Sequence, residues 1–185
     1  MNKLFHNFGL VVLVVFLPTL ILAGGNVGTS GLRFTENKGQ YIATDGLPRN
    51  QEIFFKGQMG GSDVYLTRSG ISFVIVSLDV EEQQFHDMEG EAAEKMRMAN
   101  ATQILERLDM NLVGMSPNFG IRRGEAANSV DNFYLGHCPD GILDVKSYSE
   151  IVYENVYPGI DWHFLVKDGQ LKTEFHVAPG ADPNQ

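Results

Sequence analysis

Residues 160–183 read IDWHFLVKDGQLKTEFHVAPGADP, and the reading of this stretch decides the fold. Asp168-Gly169 lies between two alternating apolar runs. That dipeptide favours a two-residue type I′ turn, in which both central residues take positive φ. The turn fixes the register of a hairpin: Lys167 faces Gln170, Leu165 faces Lys172, His163 faces Glu174, Asp161 faces His176 and Ile160 faces Val177. Side chains alternate across a strand, so one face collects Ile160, Trp162, Phe164, Val166, Leu171, Thr173, Phe175 and Val177. All but one of these are apolar, which makes this the core face and supports the same register independently.

The opposite face collects Asp161, His163, Leu165, Lys167, Gln170, Lys172, Glu174 and His176. Two imidazoles and two carboxylates on one face have two readings. As directly opposed pairs, His163–Glu174 and Asp161–His176 would stabilise the hairpin by roughly 0.2–1 kcal/mol each, with no chemistry required. As a cluster, Asp161, His163, Glu174 and His176 form the one candidate metal or acid–base site. Zinc asks for three or four ligands converging at about 2 Å, which a two-stranded ribbon without a pocket rarely supplies. Solvated cross-strand pairs are therefore the expectation, with a backbone-capping role for Asp161, next to the YPG turn, as a further reading.

Upstream, the same grammar repeats. EIFFKG, DVYLT and ISFVIVSL read as strands separated by QMGGS and RSG turns, a meander of antiparallel hairpins. In the third of these, Ile71, Phe73 and Ile75 occupy one face and Val74, Val76 and Leu78 the other. Apolar residues on both faces predict a central, covered strand. The stretch 79–101 changes character, being charged and rich in Ala, Glu and Met, which predicts a helical or disordered insertion over about 85–101. QILERLDMNLVG returns to strand alternation, with Ile104, Glu106, Leu108 and Met110 on one side. Residues 115–132 read as loop with one short strand, and DVKSYSEIVYENV as a single strand. The expected fold is mainly β, an antiparallel sandwich-like or meander sheet domain with one insertion.

The chain has 185 residues, a formal charge of −9 and a single cysteine, Cys138. Its first residues, with Lys3, an uncharged apolar run from Leu10 to Leu22 and then Ala23-Gly24, follow the order of a secretory signal peptide. The apolar run is about 13 residues, short of the roughly 20 that span a bilayer. Residues 1–23 are thus read as a signal peptide, 24–32 as a flexible leader and 33–185 as a β-rich extracellular domain. No transmembrane segment is expected in the mature chain. An acidic exported chain suits neither nucleic acid nor an anionic membrane. One cysteine allows no internal disulfide, so stability must come from a packed core.

No nucleophile elbow, phosphate loop, HExxH, EF-hand loop or CxxC is present. Hence no catalytic residue, cofactor or metal is assigned. Tyr41, Tyr65, Tyr134, Tyr148, Tyr153, Tyr157 and Trp162 are candidates for a sugar-binding platform, though aromatics in strands ordinarily pack.

Six segments carry a family resemblance: FTENKGQ at 34–40, VYLTRSGISFVI at 64–75, LDMNLVGMSPN at 108–118, NFYLG at 132–136, YENVYPGID at 153–161 and FHVAPGADP at 175–183. In order and spacing they resemble the N-terminal conserved region, of unknown function, found in large secreted surface proteins typical of the Bacteroidota. In that family the region commonly precedes SBBP β-propeller-type repeats and a C-terminal sorting or gliding-motility-type domain. The resemblance implies an extracellular β module truncated at its C-terminal end, with a structural or adhesive role. Its implied partners are downstream domains of the same polypeptide or envelope and extracellular components, glycans included. It brings no catalytic residues. The recurrent positions are Tyr157, Pro158, Gly159, Asp161, Asp168, Gly169, Pro179, Gly180, Asp182 and Pro183, types that shape turns. The second hairpin strand of the family reads more like LEYDFVV. Lys172 and His176 depart from that pattern, and His163 matches no family position. A carbohydrate-binding module and, third, a metal-dependent hydrolase centred on Asp161, His163, Glu174 and His176 stand as alternatives.

Overall fold

A computed structural model describes residues 12–15, 32–42, 53–79, 90 and 101–184. The expected insertion at 85–101 lies outside these residues, Gly90 and Ala101 apart. So does most of the expected signal peptide and leader.

The described chain is mainly β, with no helix among the described residues. Twelve strands run in chain order: β1 (Val12–Val15), β2 (Phe34–Glu36), β3 (Ile53–Met59), β4 (Ser62–Thr67), β5 (Gly70–Asp79), β6 (Thr102–Asn111), β7 (Gly120–Arg123), β8 (Ala126–Leu135), β9 (Cys138–Tyr148), β10 (Glu150–Tyr157), β11 (Ile160–Lys167) and β12 (Gln170–Val177). They form two antiparallel sheets stacked as a sandwich. The larger has seven strands in the order β6-β5-β4-β3-β2-β9-β8; the smaller has the order β1-β12-β11-β10-β7. β1 sits at the edge of the small sheet, with Val12 opposite His176 and Val15 opposite Thr173.

The meander β3-β4-β5 forms as its glycine turns foretell, and β6, which follows residues 80–101, pairs antiparallel with β5. Two expectations need correction. DVKSYSEIVYENV is two strands, not one. The chain leaves the large sheet at Tyr148, bends at Ser149 and enters the small sheet at Glu150. Alternation alone gives no sign of such a crossing, because both strands keep a period of two. The stretch 115–132 is also more ordered than expected. β7 pairs with β10, and β8 pairs with β9 through three register shifts that blur its hydrophobic pattern.

The core lies between the sheets. Phe34, Phe55, Val64, Leu66 and Ile71 from the large sheet meet Ile151, Tyr153, Val156, Ile160, Trp162 and Phe164 from the small one, all nearly or fully buried. Tyr153 is at its centre, edge-on to Trp162 at 6.3 Å and to Phe164 at 5.0 Å between centroids. Its hydroxyl donates to the carbonyl of Thr67 at 2.9 Å, which ties the small sheet to the β4–β5 turn. β5 lies between β4 and β6, and it is covered on both faces only along its first half. Ile71 and Phe73 face the core and Val74 is buried on the outside, whereas Val76 is exposed.

Candidate functional site

The hairpin that holds the four suspected site residues forms in the register the turn dictates, all eight pairs from Lys167–Gln170 to Ile160–Val177. Asp168 has φ 53° and Gly169 φ 73°, the positive values a type I′ turn requires. Trp162, Phe164, Val166, Leu171, Phe175 and Val177 turn into the core as the pattern demands. Trp162 stacks on its cross-strand partner Phe175 at 5.3 Å.

The outer face differs from expectation in its pairing. His163 and Glu174 stand opposite one another, as do Asp161 and His176, yet the hydrogen bonds of Asp161, His163 and His176 go to other partners. His163 donates through Nδ1 to Glu150 Oε1 on β10, at 3.0 Å. His176 donates through Nε2 to Glu174 Oε2, two residues back on its own strand, at 3.0 Å. Lys172 also pairs with Glu174. Asp161 Oδ1 accepts the backbone N–H of Asn155 at 2.7 Å.

The reason is the third strand. Once β10 packs beside β11, Glu150 comes within reach of His163, an option no two-stranded reading contains. His163 is therefore not a solvated member of a ribbon: it is only 7% exposed. The two imidazoles stack, with centroids 3.7 Å apart and planes 21° apart. Hydrogen bonds from Lys172 and then His176 hold the Glu174 carboxyl below its usual range, against the opposing effect of burial.

Of the four, His163, His176 and Glu174 come together through ring stacking and the His176–Glu174 bond, while Asp161 is turned to the Asn155 backbone. Among the described residues, no group of three or more His, Cys, Asp or Glu side chains is placed to hold a metal ion. An open depression of about 390 Å³ lies beside them, lined by Glu154, Asn155, Gly159, Asp161, His176, Val177 and Ala178. Glu154 and Asn155 carry no motif that marks them for this place, which only the β10–β11 corner assigns them. Glu154 is turned to Arg122, whose Nε donates to it at 2.9 Å.

This depression adjoins the corner where two of the recurrent turn segments meet. Gly159 has φ 72°, and a Cβ there would sit 2.9 Å from the Cβ of Ala181. Its carbonyl accepts the N–H of Ala178 at 2.8 Å, so the YPG turn is clamped to the end of β12. Pro179-Gly180 then turns the chain, with Gly180 at φ 89° and Ala181 N–H donating to Ala178 O at 3.0 Å. Proline followed by a positive-φ glycine suits a type II turn. Asp182 accepts from the Asn184 N–H at 2.9 Å, a side chain standing in for a backbone turn. Tyr157 donates its hydroxyl to Val113 O at 2.7 Å and Val156 O accepts the Ser116 N–H at 2.8 Å, which together hold the 112–119 loop. Asp161 belongs to this set. Asn155 lies within the register shift of β10 at φ 56°, and the Asp161 carboxylate takes the N–H that the irregularity turns out of the ladder.

The aromatic candidates are dispersed. Tyr65, Tyr148, Tyr153 and Trp162 are buried. Tyr41 meets Phe133 edge-on at 5.9 Å, and Tyr157 is half-buried with its hydroxyl bonded as above. Tyr134 alone of the seven is exposed, at 69%. Cys138 is a free, half-buried thiol at the β8–β9 turn. Its neighbour His137 reaches the carbonyl of Gly39 at 3.3 Å.

No curated protein and no solved structure matches the chain. A family model described as a domain of unknown function, DUF7948, matches residues 34–185, beginning at the first core phenylalanine and taking in both sheets except β1. The chain belongs to this DUF7948 family.

Proposed function

We propose that this chain is an exported, non-catalytic β module at the N-terminus of a bacterial surface or secreted multidomain protein, with a structural or adhesive role. Its neighbours in that larger protein would be SBBP-type repeats and a sorting or gliding-motility-type domain, in a bacterium of the Bacteroidota type. Its partners would be those downstream domains and components of the envelope, glycans among them.

One observation carries this reading. The positions through which the chain resembles that family are engaged with its own backbone. Asp161 caps a strand irregularity, Gly159 admits Ala181, and Pro179-Gly180 and Asp182 shape the exit from β12. Side chains committed in this way hold a shape, which is what a spacer or docking module needs. The apolar leader and acidic composition favour an exported, soluble domain.

Protease shaving of intact cells tests it. An epitope placed within residues 33–185 should be lost from living cells and be found without the leader. Retention inside the cytoplasm with the leader uncut would overturn the reading.

A further inference from the structure

We propose that β6 is an interface between two copies of this chain, which join their large sheets edge to edge about a twofold axis centred on Leu108. β6 ends the large sheet, and its outer edge has no partner among the described strands. Two of the features that blunt an edge, proline and a bulge, are absent from it. Its ladder with β5 runs through ten consecutive pairs, from Gly70–Asn111 to Asp79–Thr102, without a register shift, and it contains no proline. The opposite edge strand of the same sheet, β8, pairs through three shifts. A long regular edge with unpaired amides is competent to add a strand, whereas a bulged one is not.

The side chains of β6 match a strand of the same sequence. Leu108 is 61% exposed and Ile104 42% on one face of β6, and Leu105 is 50% exposed on the other, beside Arg107 and Asp109. An axis normal to the sheet keeps each face on its own side, so only registers centred on a residue are allowed. Centring on Glu106, Arg107 or Asp109 sets a charge against itself, which is unfavourable for directly opposed residues. Centring on Leu105 sets Ile104 against Glu106 and Arg107 against Gln103, and brings no opposite charges together. Centring on Leu108 sets Arg107 against Asp109 of the second copy, and Asp109 against its Arg107. On the other face Leu108 then meets itself, Ile104 meets Leu112 of the second copy, and Glu106 meets Met110. Arg107 and Asp109 are already held side by side within one chain, Nε to Oδ1 at 2.7 Å, with about a third of each side chain exposed (36% and 34%). They need no rearrangement to form a four-charge cluster across the axis.

Sedimentation velocity on the full chain tests this, with circular dichroism confirming that each variant folds. The expected result is a concentration-dependent dimer that is lost in Arg107→Asp and in Asp109→Arg and restored when the two are combined. Leu108→Glu, at an exposed position, should also abolish it. With Cys138→Ser as background, Leu108→Cys should cross-link into a disulfide dimer faster than Leu105→Cys, because only residue 108 faces itself. A monomer at the highest soluble concentration would overturn the proposal. So would a dimer that survives both Arg107→Asp and Leu108→Glu, a charge swap that fails to restore association, or faster cross-linking at residue 105.

Discussion

Thr173 lies on the core face of β12, and its Oγ1 has no hydrogen-bond partner among the described residues; the same is true of Trp162 Nε1 on β11. A buried hydroxyl without a partner costs about 1–3 kcal/mol relative to one that is satisfied. Thr173→Val keeps the shape and removes the orphan, so it should raise stability by about 1 kcal/mol in a urea titration. Gly159 stands at the other extreme. Its positive φ disfavours any side chain, and a Cβ would crowd Ala181. Gly159→Ala should cost about 1–3 kcal/mol in the same measurement, through strain at the turn rather than lost core contact. Both residues could be assigned to a face or a turn from the sequence. The missing partner of Thr173 could not, because satisfaction depends on what the second sheet brings near.

The β10–β11–β12 ribbon gathers its ionisable groups on one face, and its response to acid follows from Glu174. Bonds from Lys172 and His176 depress the folded pKa of this carboxyl. A depressed carboxylate contributes stability that is fully present above its unfolded value and is lost as pH falls through the lower, folded value. Stability should therefore fall as pH drops through and below the ordinary carboxylate range, and Glu174→Gln should flatten that limb. Urea midpoints measured across this range check both. The hairpin itself was legible in the chain, because Asp168-Gly169 and the alternation agree on one register. The bonding was not. His163 takes Glu150 rather than Glu174, since that acceptor, thirteen residues upstream, lies on a strand that only the sheet order sets alongside.

For the whole molecule, the decisive contact is between sheets. Trp162 is fully buried against Tyr153, Phe164 and Phe175, and it is the largest side chain in the shared core. Trp162→Ala should cost about 3–5 kcal/mol, enough to remove much of the margin of a typical domain. Loss of both sheets in one cooperative transition, followed by near-ultraviolet dichroism and amide exchange, would show that the sandwich folds as a unit. Separate transitions for the two sheets would show that the core couples them weakly. The Arg123–Glu36 ion pair also spans the sheets, at 2.6 Å, but it is exposed and adds little beside that core.

By itself the sequence determined the strands of the meander, the β11–β12 register and the inward set led by Trp162. Each rests on short-range rules: turn residues that demand positive φ, and alternation that puts apolar groups on one side. Tertiary structure alone decided that DVKSYSEIVYENV divides between two sheets at Ser149, that Asp161 serves the backbone of Asn155, and that the YPG and PGADP turns close one corner together. These depend on which strand lies next to which. A period of two says which way a side chain points and nothing about the neighbour it will meet.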